Sequence, residues 1–131
     1  MIITKENINK FIEGTRMNCP DMGITHIEYI PDGITRLDCE HNKLTELPKL
    51  PNNLKYLDCD NNKLTELPKL PNNLKYLDCD NNKLTELPKL PESLTNLYCR
   101  NNNLPYEITI DNLKQHNKLI KRKLILSRIC G

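Results

Sequence analysis

The chain has 131 residues and a mass of 15.3 kDa, which leaves room for one domain. Its hydrophobic content of 37% is low for a globule, and a net charge of +2 gives no general pull toward nucleic acid or membrane. No run approaches the roughly eighteen apolar residues of a membrane span. The N-terminal MIITKENINKFIEG mixes charges into its apolar residues, unlike a secretory signal.

That N-terminus instead predicts a short helical cap over residues 1–14. Thr4 suits the N-cap, Ile3 and Ile8 suit a hydrophobic staple, and Gly14 suits the stop. Ile8, Phe11 and Ile12 would form one apolar face covering the open end of the segment that follows.

That segment is a tandem array. Lys43–Asn62 reads KLTELPKLPNNLKYLDCDNN, Lys63–Asn82 repeats it letter for letter, and Lys83–Asn102 departs from it only toward its end. Identity of this kind is the mark of one supersecondary unit stacked on copies of itself. The twenty-residue step extends backward to a good strand motif at Ile34–Leu44 and to a worn copy with Met17, Cys19 and Met22 at the corresponding positions. About five repeats, the first degenerate and looser, therefore occupy residues 15–104.

A strand at Tyr56–Leu57–Asp58 points Leu57 inward and its neighbours outward. Parallel stacking then lines Leu44, Leu47, Leu50, Leu54 and Leu57 along one core. Asn42, Asn62, Asn82 and Asn102 fall at turns, where a buried amide bonds the backbone of neighbouring coils. Pro48 and Pro51 exclude helix from the returning segment and favour an extended, polyproline-like one.

After Asn102 the period fails, and residues 105–131 read as a second helical cap. Asp111 is the expected N-cap of a helix running to about Arg128. Leu113, Leu119, Ile120, Leu124, Leu126 and Ile129 are expected to pack over the last coil. Lys114, Lys118, Lys121, Arg122, Lys123 and Arg128 would form a solvated basic face, with a membrane-surface or calmodulin-type helix as the alternative.

Leu54–Leu64, with its LxxLxCxxNxL pattern, resembles the signature of leucine-rich repeats, with cysteine in place of the last strand leucine. The LPKLP stretch and short period resemble the repeat effectors that pathogenic bacteria inject into host cells, and the Asn/Lys/Ile-rich repeat proteins of giant amoeba viruses. The resemblance covers roughly Arg16 to Leu104. It implies an α/β solenoid: a short right-handed leucine-rich-repeat array with a parallel concave sheet, an extended convex side and, from the ends above, helical caps.

Cys19, Cys39, Cys59, Cys79 and Cys99 form a ladder that packs as small apolar side chains. A line of thiols cannot make a tetrahedral metal cage, and so many free thiols fit a reducing, cytoplasmic location, which includes the cytosol of a host. Cys130 lies off the ladder beside Arg128, where a cation favours the thiolate.

Three outward columns carry the functional expectation. One reads Arg16, Arg36, Tyr56, Tyr76, Asn96; the next reads Asn18, Asp38, Asp58, Asp78, Tyr98; the third reads Glu40, Asp60, Asp80, Arg100. The expected partner surface is Arg36, Asp38, Glu40, Tyr56, Asp58, Asp60, Tyr76, Asp78, Asp80, Tyr98 and Arg100: acids to steer a basic protein segment, tyrosines to hold it. Such a face repels nucleic acid.

Nothing marks a catalytic site. His26, His41 and His116 are scattered, and no phosphate-binding glycine loop is present. No cofactor or metal is expected; Ca²⁺ on the acidic ladder is an open alternative that lacks the expected loop glycine and clustered oxygen ligands. The sequence thus predicts a non-enzymatic, monomeric protein-interaction module that does not engage membrane. Two alternatives are the substrate-recognition arm of a ubiquitin-ligase-type effector without its catalytic domain, and a repeat scaffold with no dedicated ligand.

Overall fold

The computed structural model describes residues 1–130, except for the Cys130 side chain, so the reactive-thiol expectation there lies outside the described residues, as does Gly131. In chain order the elements are β1 (Ile2–Ile3), a 3-10 turn (Ile8–Phe11), β2 (Ile12–Glu13), β3 (Arg16–Asn18), β4 (His26–Ile27), β5 (Arg36–Asp38), β6 (Tyr56–Asp58), β7 (Tyr76–Asp78), β8 (Asn96–Tyr98) and α1 (Leu113–Cys130). β3, β5, β6, β7 and β8 pair in parallel, one per coil, in a solenoid of about five turns. The register is that of the repeat: Met17, Leu37, Leu57, Leu77 and Leu97 are successive partners. All but Leu97 are fully buried.

Leu44, Leu47, Leu50, Leu54 and their equivalents join them in one core, and the Cys19–Cys79 thiols are completely enclosed. Burial drives the Cys39, Cys59 and Cys79 thiols far above their ordinary range and lifts Cys19 to about 12, so these sulfurs behave as apolar filler.

The coil turns depend on two adjacent residues with different tasks. Asn62 Nδ2 donates to the carbonyls of Cys39, Cys59 and Asp60, while its Oδ1 accepts from Leu44 N–H. Asn42, Asn82 and Asn102 repeat this pattern. The residue before each adopts the left-handed conformation: Asp21, His41, Asn61, Asn81 and Asn101 have φ of 52–56°. Asparagine and aspartate tolerate that region better than other non-glycine residues, which accounts for the first letter of the NN pair. Met22 replaces the first turn asparagine, yet its N–H and that of Ile24 are both received by Asn42 Oδ1.

The N-terminal cap is not an α-helix. Ile2–Ile3 is drawn into parallel pairing with His26–Ile27, and Ile12–Glu13 forms an antiparallel pair with Met17–Arg16. The Asn7 side chain closes the intervening turn by accepting from Thr4 N–H and donating to Ile2 C=O. Strand pairing thus satisfies backbone groups that a helix of so few residues would leave open at its ends. Ile3 and Ile8 are nonetheless buried at the array's end.

The C-terminal helix forms, but its anchorage is shorter than expected. Leu113 and His116 are buried, and Asn117 and Ile120 are half-buried, all on one side of α1. His116 Nε2 donates to Pro88 C=O (2.9 Å), which leaves Nδ1 to accept from the Tyr106 hydroxyl (2.6 Å). Asn117 brackets Leu90, donating to its C=O (2.7 Å) and accepting from its N–H (2.8 Å). Leu119, Leu124, Leu126 and Ile129, expected in the interface, are exposed: Leu119 lies off the anchoring stripe, and the other three lie beyond its end after two turns.

Candidate functional site on the sheet's outward face

The strand register builds all three columns. Arg16, Arg36, Tyr56, Tyr76 and Asn96 are consecutive pairing partners, as are Asn18, Asp38, Asp58, Asp78 and Tyr98. Glu40, Asp60, Asp80 and Arg100 lie just beyond the strand ends. Identical spacing in the chain becomes adjacency in space, since neighbouring parallel strands lie about 4.8 Å apart.

The tyrosine column is ordered by its own contacts. The Tyr56 and Tyr76 rings stack with centroids 4.1 Å apart and planes 4° from parallel. The Arg36 guanidinium lies 4.0 Å from the Tyr56 centroid, and Tyr98 is tilted against Tyr76 at 5.7 Å. A cation–aromatic pair at such an exposed site contributes about 0.5–1 kcal/mol. Arg36, Tyr56, Tyr76 and Tyr98 thus form a continuous ridge of flat surface.

The acidic column has two characters. Asp38, expected as an exposed contact residue, is only 3% exposed, and its Oδ2 lies 2.9 Å from both Arg16 Nε and Arg36 Nε. The arginines at the top of the neighbouring column fold over it and neutralise it. Asp58 and Asp78 are half-buried and have no cationic side chain within bonding range among the described residues. Each spends one oxygen on the main chain, Asp58 Oδ1 on Asp60 N–H and Asp78 Oδ1 on Asp80 N–H, both at 3.1 Å. The D-C-D spacing therefore also has a structural cause, closing the strand end as an Asx turn. Asp60 accepts from Asn81 Nδ2 at 3.1 Å and has His41 Nε2 3.9 Å away.

Crowding shows in the proton affinities. Burial, a hydrogen bond to Asp58 and the charges of Asp58 and Asp38 push Glu40 up to about 8. Burial raises Asp78 to about 6; the N–H of Asp80 opposes this, while the charges of Asp58, Asp80 and Asp60 add to it. Near neutrality Glu40 thus keeps its proton.

Oxygens of Asp38, Glu40 and Asp58, and of Asp58, Asp60 and Asp78, come within 4.8 Å of one another, a clustering the linear spacing did not reveal. Register bunches them. Two guanidiniums already occupy Asp38, and main-chain N–H groups occupy one oxygen each of Asp58 and Asp78. The second oxygens of Asp58 and Asp78, with the carboxylates of Glu40 and Asp60, still point into one crowded acidic patch. The three histidines lie apart, and the missed role among them is His116, whose task is to fasten α1.

The family described as Leucine Rich repeats (2 copies) matches residues 52–92. No curated protein matches the chain significantly. Among solved structures, YopM from Yersinia enterocolitica WA-314 is similar, with 41% identity and a TM-score of 0.63 over 66% of this chain and 19% of that one. A Shigella effector LRR domain is similar with 30% identity and a TM-score of 0.65, over 82% of this chain and 57% of that one. The chain thus spans less than two thirds of the length of either. Repeat period, asparagine turns, parallel strand ladder and these similarities agree: the chain is a leucine-rich-repeat protein with repeats of about twenty residues, structurally matched to the repeat domains of bacterial effectors.

Proposed function

We propose that the protein is a non-enzymatic interaction module that holds a basic protein segment across Asp58, Asp78, Asp60, Asp80 and the Tyr56–Tyr76 ridge. The observation that carries this reading is the contrast within one column: Asp38 is neutralised by two arginines, whereas Asp58 and Asp78 have no such partner. Carboxylates held close together without a counter-charge repel one another by roughly 1 kcal/mol per pair in a water-like dielectric. A lysine- or arginine-bearing partner relieves that repulsion and favours release of the proton on Glu40. The stacked tyrosines add rigid amphipathic contact at small entropic cost. Tyr98, Arg100 and Arg36 border the row and set its ends. The similarity to effector repeat domains supports a binding role without naming the partner. Five thiols without a disulfide support work in a reducing compartment, and no described helix is long and apolar enough to cross a membrane.

The test compares the native chain with Asp58→Asn/Asp78→Asn in capture from cytosol and in titration with an arginine-rich peptide at low salt. Affinity for the peptide should fall at least about tenfold, close to 1.4 kcal/mol. Identical partners and affinity for the two proteins would remove the proposal.

A further inference from the structure

The helix α1 carries Lys114, Lys118, Lys121, Arg122, Lys123 and Arg128 and no acid. With six of the 19 Lys+Arg and none of the 17 Asp+Glu on α1, the rest of the chain is net −4. Every described side chain from Lys121 to Ile129 is exposed, including Leu124, Ile125, Leu126 and Ile129. The distal helix is therefore cationic and apolar: Lys121 and Leu124 border a cleft with Lys89 and Glu92, and beyond them the described side chains face solvent.

We propose that this distal helix docks across the acidic row of a second copy of the chain, so that molecules associate head to tail. The inference rests on the reading that the row accepts a basic segment. Three observations select this occupant. Charge is complementary, with the cations on one end of the molecule and the uncompensated Asp58 and Asp78 on the sheet face. Size agrees: nine residues of helix span about 13 Å, and three strands, β5 to β7, span about 10 Å between the outer two. Surface character agrees as well. Lys118, Arg122, Ile125 and Ile129 recur at i, i+4, i+7 and i+11, one exposed stripe mixing cations with branched apolar groups. A lipid surface favours segregated faces, whereas a row of acids flanked by stacked tyrosines favours a mixed stripe.

The helix does not reach its own row while anchored. His116 and Asn117 hold it to Pro88 and Leu90, on the returning segment rather than on the strand. The contact is consequently between molecules and heterologous, joining different patches, which generates rings or open chains.

Sedimentation velocity on the full chain at about 50 mM and about 500 mM NaCl provides the test, because the Debye length shrinks severalfold across that range. Two variants are needed, Lys118→Glu/Arg122→Glu on the exposed helix and Asp58→Asn/Asp78→Asn on the sheet, each checked for native circular dichroism. The native chain should associate with rising concentration at low salt and dissociate at high salt. Each variant alone should remain monomeric, and an equimolar mixture should form heterodimers, since it restores one native helix and one native row. A monomeric native chain at low salt overturns the inference, as does association that survives in the sheet variant, which signals helix-to-helix pairing. Capture of α1 by phosphatidylserine vesicles without self-association overturns it in favour of a lipid surface. If the native chain is monomeric yet binds the arginine-rich peptide through Asp58 and Asp78, the inference falls and the interaction reading stands. Loss of both removes both.

Discussion

Asp38 and Asp58 occupy the same position of consecutive coils and pair directly with each other, yet they live in different electrostatic worlds. At β5 the carboxylate is buried under Arg16 and Arg36. At β6 and β7 the arginine positions have become Tyr56 and Tyr76, and the carboxylates beneath lose their counter-charges. The backbone, the core leucine and the turn asparagine are alike in the two regions. What separates a self-satisfied structural end from an unsatisfied central row is thus the residue two places before the aspartate. A repeat scaffold holds its fold with one set of positions and varies its surface with another, because strand alternation keeps the two sets on opposite faces.

If that division holds, the core under both regions should respond equally. Leu37→Ala and Leu57→Ala should each cost about 2–5 kcal/mol through a cavity in a fully buried ladder, measured by urea denaturation. Unequal losses would show that the two regions differ beneath the surface too. Asn42→Ala and Asn62→Ala come next, at about 1–3 kcal/mol each, since backbone groups of two coils lose their partner.

The aspartates themselves should part company. Asp38→Asn should destabilise by about 1–2 kcal/mol, a charge-assisted bond discounted for the half-exposed guanidiniums. Asp78→Asn should leave stability unchanged or raise it, because it removes repulsion and keeps an acceptor for Asp80 N–H. Equal losses at the two sites would erase the distinction.

The remaining effect is in pH. Glu40 and Asp78 bind protons more tightly folded than unfolded, so their contribution is complete at low pH and is lost as pH rises. For Asp78 the loss runs from its ordinary 3.8 to about 6, and for Glu40 from 4.5 to about 8. The melting temperature should fall between those limits, and Glu40→Gln should flatten the upper part of the slope. Affinity for a basic peptide should move the opposite way, rising as these acids ionise.

Much of the fold was legible because the repeat is so strict. A period of twenty assigns the same inward leucine, the same turn asparagine and the same outward columns to each coil, and the register of Tyr56 with Tyr76 and Asp58 with Asp78 follows from it. The ends lacked that periodic constraint. Residues 1–14 carry plausible helix signals, but an open strand edge beside them offered better use of the backbone, and only tertiary pairing expresses that competition. Likewise the apolar letters of α1 were visible, while which of them meet the last coil depended on where His116 and Asn117 anchor the helix.

The amino-acid order by itself determined the solenoid, its core and the identity of the surface columns, since a periodic chain has one economical way to bury a periodic set of leucines. The tertiary structure alone decided charge. Whether an acid of these columns is neutralised, keeps its proton or stands open depends on side chains approaching from the neighbouring coil, and those distances are a property of the stack rather than of the chain.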